Sequence, residues 1–430
     1  MFQAWFKIPF WQRVLGGFIL GALLGVVAAD VAVAMQPLGQ LFIRAIQMLV
    51  APLVLFAIVS SITSMQSHSN LGRLAGKTVG LFLITAMIAS AIGLTVGTLI
   101  DLTPSIELTA GSVTERDIPP VSQVLLSVIP TNPFAALTSG NVLQIIFFAV
   151  ILAIAINALK EKAQPLRSFF QSGAEVMYQI TRYVLELTPI GVFGLMAWVV
   201  GSFGLEMLLP LAKFIGAIYL ACIIHIVFVY GSLVRFGAKV KPWQFFRAIF
   251  PTQIIAYSTS SSFGTLPSTL KTTTERLGVK KEYASFSLPL GATINMDGCG
   301  GIYPAIAAIF IAHLYGIPLG FTEYAIIMVT ATLASIGTAG VPGSAMVMLT
   351  VTLSAVGLPL EGIAFIAAVD RIIDMMRTAT NVTGDMAVSL VVAKSENMVD
   401  EELLAAGLRN EPYVEPSATE LSNTAAQEKG

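Results

Sequence analysis

The chain has 430 residues, 55% of them hydrophobic and 11% charged, with a formal net charge of −1. A soluble domain is about 25% charged, so this composition excludes an ordinary soluble protein, and the near-zero net charge singles out no class of partner. Cys222 and Cys299 are far apart in apolar surroundings, which excludes a disulfide framework and a zinc site.

Apolar runs of 18 or more residues recur along the chain, the mark of a polytopic membrane protein. The first run, 14–38, follows the interfacial aromatics Trp5, Phe6, Phe10 and Trp11. It reads as a first transmembrane helix, not a cleaved signal peptide. Helices are expected next at 39–65 and 76–100. Lys7 and Arg13 before the first helix, and His68, Arg73 and Lys77 between the second and third, place those loops inside. Asp101, Glu107, Glu115 and Asp117 against Arg116 place the following segment outside. Further crossings at 141–159, 170–202 and 208–233 bring the chain back inside at Arg235, Lys239, Lys241 and Arg247.

The stretch 242–272 has basic residues at both ends and YSTSSSFGTLPS at its centre, so it reads as a re-entrant hairpin open to the inside. A crossing at 284–314 follows. The stretch 323–356 is flanked by Glu323 and Glu361, without a basic residue between, and reads as a second hairpin, entering from outside, with IGTAGVPG at its tip. A last crossing, 362–393, ends at Lys394, so both termini are expected in the cytoplasm. The polar tail, 400–430, is expected to be disordered. Opposed hairpins, each followed by a crossing helix, are the product of an inverted repeat, an arrangement transporters use to bind substrate near the midplane.

The last helix carries DRIIDMMRTATNVTGD. At 3.6 residues per turn, Asp370, Asp374, Arg377, Thr378, Asn381 and Asp385 fall within an arc of about 100°, with Arg371 at its edge. Ionisable groups at bilayer depth cost on the order of 3 kcal/mol each, so such a stripe needs partners. The preceding crossing supplies GATINMDGCGG, in which Asn295, Asp297 and the carbonyls of a glycine-weakened helix are hard oxygen donors for a cation. Four carboxylates, Asp297, Asp370, Asp374 and Asp385, face one arginine, Arg377, leaving an excess of negative charge for cations or protons to balance. A purely structural salt-bridge network would avoid that excess. His68, His225 and His313 lie off the acidic face, and no Ser/His/Asp set or metal-ligand spacing supports an enzyme. An ion channel fits less well than alternating access, because an arginine and two hairpin tips stand in the path.

The stretches VIPTNPF (128–134), TPIGVFGL (188–195), SSSFGTLP (260–267), PLGATINMDG (289–298), ASIGTAGVPG (334–343) and DRIIDMMRTATNVTGD (370–385) occur in the order found in the glutamate transporter family, the dicarboxylate/amino acid:cation symporters. The chain resembles its prokaryotic sodium-coupled aspartate and glutamate members over nearly its whole length. The resemblance implies an all-α polytopic membrane protein with eight transmembrane helices and two opposed re-entrant hairpins, working as an elevator in a homotrimer of the inner membrane. It implies a scaffold of 1–75 and 103–205. The transport domain would comprise 76–102, 206–240, hairpin one at 241–281, helix seven at 282–316, hairpin two at 317–358 and helix eight at 359–395, with 396–430 as cytoplasmic tail.

By position, the resemblance implies that Arg377 binds the side-chain carboxylate of an acidic amino acid, Asp374 its ammonium, and Asn381 its α-carboxylate. Ser261, Ser262, Cys299, Thr378 and the second tip, Gly340, Val341, Pro342 and Gly343, would line the pocket. It implies two to three co-transported Na+ ions. One would sit at Asp385 with Gly291, Asn295 and Asn381, a second near Thr293, Met296, Ser335 and Thr338, and a third at Asn295, Asp297 and Thr85. Cys299, Phe263, Ser260 and Met375 depart from the family pattern, which leaves open a proton-coupled dicarboxylate carrier or a carrier of another, neutral or cysteine-like, amino acid. Tyr303 stands where potassium-exchanging relatives have Glu, so potassium counter-transport is not expected.

Overall fold

The computed structural model describes residues 10–63, 71–103, 129–139, 142–338, 340 and 343–409. The described residues are helical, with one isolated antiparallel bridge between Val279 and Val399. Large apolar side chains face outward, among them Leu20 (60% exposed) and Phe236 (80% exposed). In water such a surface would drive aggregation; against lipid it is stable. Among the described residues, three helical segments are long and apolar enough to cross a membrane: Arg73–Leu99, Leu205–Gly237 and Lys281–Leu314.

The first half holds α1 (Phe10–Val27), α2 (Ala29–Val33), α3 (Gln36–Thr63), α4 (Leu71–Leu99), α5 (Pro133–Ser139), α6 (Val142–Leu159), α7 (Gln164–Leu185), α8 (Thr188–Phe203) and α9 (Leu208–Ile224). Two of the expected crossings are subdivided. The apolar run 14–38 is not one helix: α1 stops at Ala28, whose extended backbone (φ −144°) breaks it, and α2 precedes α3. The 170–202 crossing is likewise two helices, α7 and α8, parted at Glu186 and Leu187. Arg13 lies inside α1, and its Nη1 donates to Glu186 at that break (2.7 Å). It is a buried tie between helices, not a loop charge. Gly17, Gly21 and Gly25 bring α1 onto α8: an ideal Cβ at Gly25 would stand 2.6 Å from Val200 Cβ. Small residues four apart allow such close helix contact where no water drives association.

The second half holds α10 (Pro242–Thr259), α11 (Ser262–Glu275), α12 (Lys281–Ile294), α13 (Tyr303–Leu314), α14 (Phe321–Gly337), α15 (Ser344–Ala355), α16 (Ile363–Ala367), α17 (Asp370–Ser395) and α18 (Glu401–Arg409). α10 and α11 form one helical hairpin and α14 and α15 the other. Inside the first, Thr252 bonds Ser268 and Thr272 (2.9 and 2.7 Å), so hydroxyls join its arms. α17 runs through the middle of this half and is buried from Asp370 nearly to its end. The expected tail is ordered as far as Arg409: α18 buries Leu404 and Ala406, while 410–430 lie outside the described residues. Lys280 N–H donates to Met398 O (2.9 Å), Asp400 N–H to Gly278 O (2.7 Å) and Arg247 to Leu408 O (2.8 Å), tying this segment to the base of the first hairpin. Glu396 accepts from Lys77 (2.6 Å) and from Arg73 on α4.

Candidate functional site

Three interruptions of helix meet beside α17. The first is the turn between α10 and α11. Ser260 there is left-handed (φ 50°), a strain of about 1–2 kcal/mol for a residue with a Cβ. Ser261 caps α11, its Oγ accepting from Gly264 N–H (3.0 Å). The second is the turn between α14 and α15. Ser261 Oγ donates to Gly340 O (2.9 Å) and so does Phe263 N–H (3.0 Å), so the two tips touch. Gly340 has no room for a side chain: a Cβ would collide with Ala292 O and stand 3.0 Å from the Phe263 ring. Gly343 is left-handed (φ 78°) and opens α15. Val341 and Pro342 lie outside the described residues.

The third interruption is Asn295–Met296, between α12 and a wide π-helical turn, Asp297–Ile302. Both amide donors of Asn295 are engaged, one on Asn381 O (3.1 Å) and one on Asp385 Oδ1 (2.9 Å). Gly298 N–H donates to Asn381 Oδ1 (2.8 Å). A Cβ on Gly298 would stand 2.6 Å from Arg377 O, so only glycine lets this turn lie on the α17 backbone. Gly291 faces Asp385 in the same way.

On α17, Arg377 is wholly buried. Its Nη2 donates to Asp370 (2.8 Å) and Asp374 (3.0 Å), and its guanidinium lies 4.0 Å from the centre of the Tyr303 ring. Cation–π contact and the carboxylates together compensate the buried charge. Among the described residues its Nε and Nη1 have no hydrogen-bond partner, and Asp374 Oδ2 accepts none. Asn381 Nδ2 points at Met296 Sδ and Cys299 Sγ (3.2 Å each), both weak acceptors. Cys299 also lies 3.9 Å from Asp374. Ser262 and Thr378 are buried in the same half.

Arg371 belongs to the site. It is buried, its Nη1 stands 3.9 Å from Asp374, and its Nη2 donates to Thr259 O at the first tip (3.3 Å). The expected excess of negative charge is therefore smaller and localised: Asp370 and Asp374 are matched by Arg371 and Arg377, while among the described residues Asp297 and Asp385 are not matched by a lysine or arginine.

The expected cation ligands are partly assembled. Asn295, Asn381, Asp385 and Gly291 converge through the bonds above. Ser335 joins the break, its Oγ donating to Ile294 O (3.0 Å) and accepting from Met296 N–H (3.2 Å). Thr293, Thr338 and Thr85 are buried, and each hydroxyl donates to a carbonyl of its own segment, Leu290, Ala334 and Phe82, a bond that uses its hydrogen and not its oxygen lone pairs. Asp297 is held by His225, a histidine expected off the acidic face, and by Tyr230, which no sequence pattern singled out. Its Oδ2 accepts from Tyr230 (2.7 Å) and pairs with His225 Nε2 (2.9 Å). The only sequence signal was a His and a Tyr in the apolar run 208–233. At 3.6 per turn, residues five apart do not share a face. Here the helix widens into a π turn, His225–Tyr230, and their rings meet edge to face with centres 4.6 Å apart. Among the described residues no group of three or more His, Cys, Asp or Glu side chains forms a metal centre.

An all-helical chain with an apolar exterior and a buried, charged, helix-breaking interior is of the class of polytopic membrane transport proteins. Residues 10–395 match the sodium:dicarboxylate symporter family, and the chain belongs to it. It is 36% identical over 412 residues to a proton/sodium-glutamate symport protein of Geobacillus stearothermophilus, covering 92% of this chain and 96% of that one. It is 36% identical over 413 residues to a proton/glutamate-aspartate symporter of Escherichia coli strain K12 (91% and 94% covered). It is 34% identical over 417 residues to a C4-dicarboxylate transport protein of Serratia proteamaculans (95% and 96% covered). The protein is a membrane-embedded, cation-coupled symporter of a small molecule.

Proposed function

We propose that this symporter takes up acidic amino acids, aspartate or glutamate, driven by two to three co-transported sodium ions, through elevator-type movement in a homotrimer of the inner membrane with both termini cytoplasmic. One observation carries the substrate reading: among the described residues, a wholly buried Arg377 has two donors unpartnered, beside an Asp374 oxygen that accepts no hydrogen bond. The donors suit a carboxylate and the oxygen suits an ammonium group. Asn381 Nδ2 exchanges weak sulfur acceptors for the α-carboxylate at little cost. Cys299 borders that group and narrows the choice of side chain.

Sodium is the reading the oxygen donors favour. Asp385, Asp297, Asn295 and the carbonyls of the 295–296 break are hard donors, and two unmatched carboxylates take two monovalent cations to neutralise. Coupling follows if the second tip closes only when substrate and sodium are both bound; Val341 and Pro342 belong to that tip. The test is uptake into proteoliposomes of labelled aspartate, glutamate, malate, succinate, serine and cysteine, under an inward sodium gradient or a proton gradient. Aspartate or glutamate uptake that needs sodium is expected. Uptake driven equally by protons alone, or confined to malate and succinate, overturns the reading.

A further inference from the structure

Outside the groups assigned to substrate, Asp297, His225 and Tyr230 form one buried polar cluster. All three are wholly buried. We infer that His225 and Tyr230 are positioning residues for a coupling cation: they clamp Asp297 Oδ2 so that Oδ1, together with Asn295 Oδ1, faces that cation. This rests on the sodium reading above, whose third ion the resemblance puts at Asn295, Asp297 and Thr85, and adds to it the two residues that hold one of those ligands in place.

A buried carboxylate without donors is costly. Asp297 Oδ2 has two donors, the Tyr230 hydroxyl at 2.7 Å and His225 Nε2 at 2.9 Å. Among the described residues its Oδ1 has no hydrogen-bond partner. Asn295, two residues earlier in the same break, is fixed by the opposite logic. Both Nδ2 hydrogens are taken by Asn381 O and Asp385 Oδ1, so the amide cannot flip, and its Oδ1 also has no partner. Two buried acceptors on one interrupted stretch of chain, each with its other atom tied down, need an electrophile rather than a donor already in the fold. A monovalent cation supplies one.

The clamp is built into the backbone. Tyr230 reaches Asp297 because α17 carries Gly384 at the crossing: a Cβ there would stand 2.5 Å from Asn295 Nδ2 and 2.6 Å from Tyr230 Cζ. The π turn His225–Tyr230 brings both donors to one face. Thr85, expected as a ligand of this ion, gives its one hydroxyl hydrogen to Phe82 O, which leaves its oxygen able to face a cation but gives Asp297 no donor, so holding Asp297 falls to His225 and Tyr230. Groups that orient a metal ligand typically carry about 10–100-fold in affinity.

The test is thermal unfolding of the purified, substrate-free full chain against NaCl at constant ionic strength, with choline chloride as the balance. Tyr230→Phe and His225→Leu are expected to raise the sodium concentration of half-effect by roughly 10–100-fold. His225→Gln, whose side-chain amide donates from near the position of Nε2, is expected to restore most of the response. A merely structural role would lower the melting temperature in choline without moving the half-effect concentration. Variants that respond to sodium as the wild type does overturn the inference alone, as does a Gln variant no better than Leu. A wild type blind to sodium removes the sodium reading itself, and the inference with it.

Discussion

Arg377 is where residue-level physics is most demanding. Removing one member of a buried ion pair costs about 3–5 kcal/mol, because the partner is left charged and alone. Arg377→Ala is therefore expected to abolish uptake and to lower the melting temperature. The double change Asp370→Asn, Arg377→Met removes one charge of each sign and leaves Asp374 with Arg371. It is expected to recover most of the stability while uptake stays absent. Detergent melting curves beside proteoliposome uptake separate the two effects. Acidic amino acid transport surviving in either variant would refute the role given to Arg377. The stripe that holds Arg377 was legible because a regular helix keeps its period: Asp370, Asp374, Asn381 and Asp385 fall on one face whatever packs there. The contribution of Arg371 was not, since its position at the edge of the arc left its partner undetermined.

At the scale of elements, the tips and the C-terminal clasp make separate predictions. Ser261 both caps α11 and binds Gly340 across to the second hairpin. Loss of such a cap costs about 0.5–2 kcal/mol. Ser261→Ala is expected to speed amide exchange across 260–264 by about tenfold, read by hydrogen–deuterium exchange; unchanged exchange would mean that the tips are held by other contacts. At the other end of α17, Glu396 bridges Lys77 and Arg73. The hydrogen bond from Lys77 leads the effects that hold its carboxyl below the ordinary 4.5. A carboxyl with a lowered folded-state value stabilises the fold above its unfolded value and loses that effect as pH falls through the folded value. The melting temperature is expected to fall on acidification below about pH 4.5, and less steeply in Glu396→Gln. Equal slopes would show that the clasp carries no linkage. The hairpins were legible from charge at their ends, but α18 was not. Its sequence is polar, and helicity there depends on Leu404 finding the hydrophobic cluster at the base of the first hairpin.

At the scale of the molecule, the elevator reading requires α8 and α16 to slide past each other. They meet at an aromatic cluster: Trp198 lies 5.3 Å and Phe203 5.5 Å from Phe365, ring centre to ring centre. Trp198→Cys with Phe365→Cys, cross-linked by a short bismaleimide, is expected to stop uptake while sodium-dependent stabilisation persists. Each single variant serves as the control. Full transport in the cross-linked protein would exclude sliding at this contact.

By itself the sequence determined that this is a polytopic helical membrane protein with a charged stripe on its last long helix and two interrupted hairpins. Those features follow from composition, from helical period and from the signs of terminal charges, all local along the chain. Tertiary structure decided what each buried polar group meets. Apolar residues continue through Ala28 and past Glu186, so where α1 and α7 end depends on packing. The join of His225 and Tyr230 to Asp297 spans 72 and 67 residues and turns on a local widening of the helix. Such contacts are set by which buried donor has an acceptor within reach once the helices are packed, and no periodicity along the chain records that.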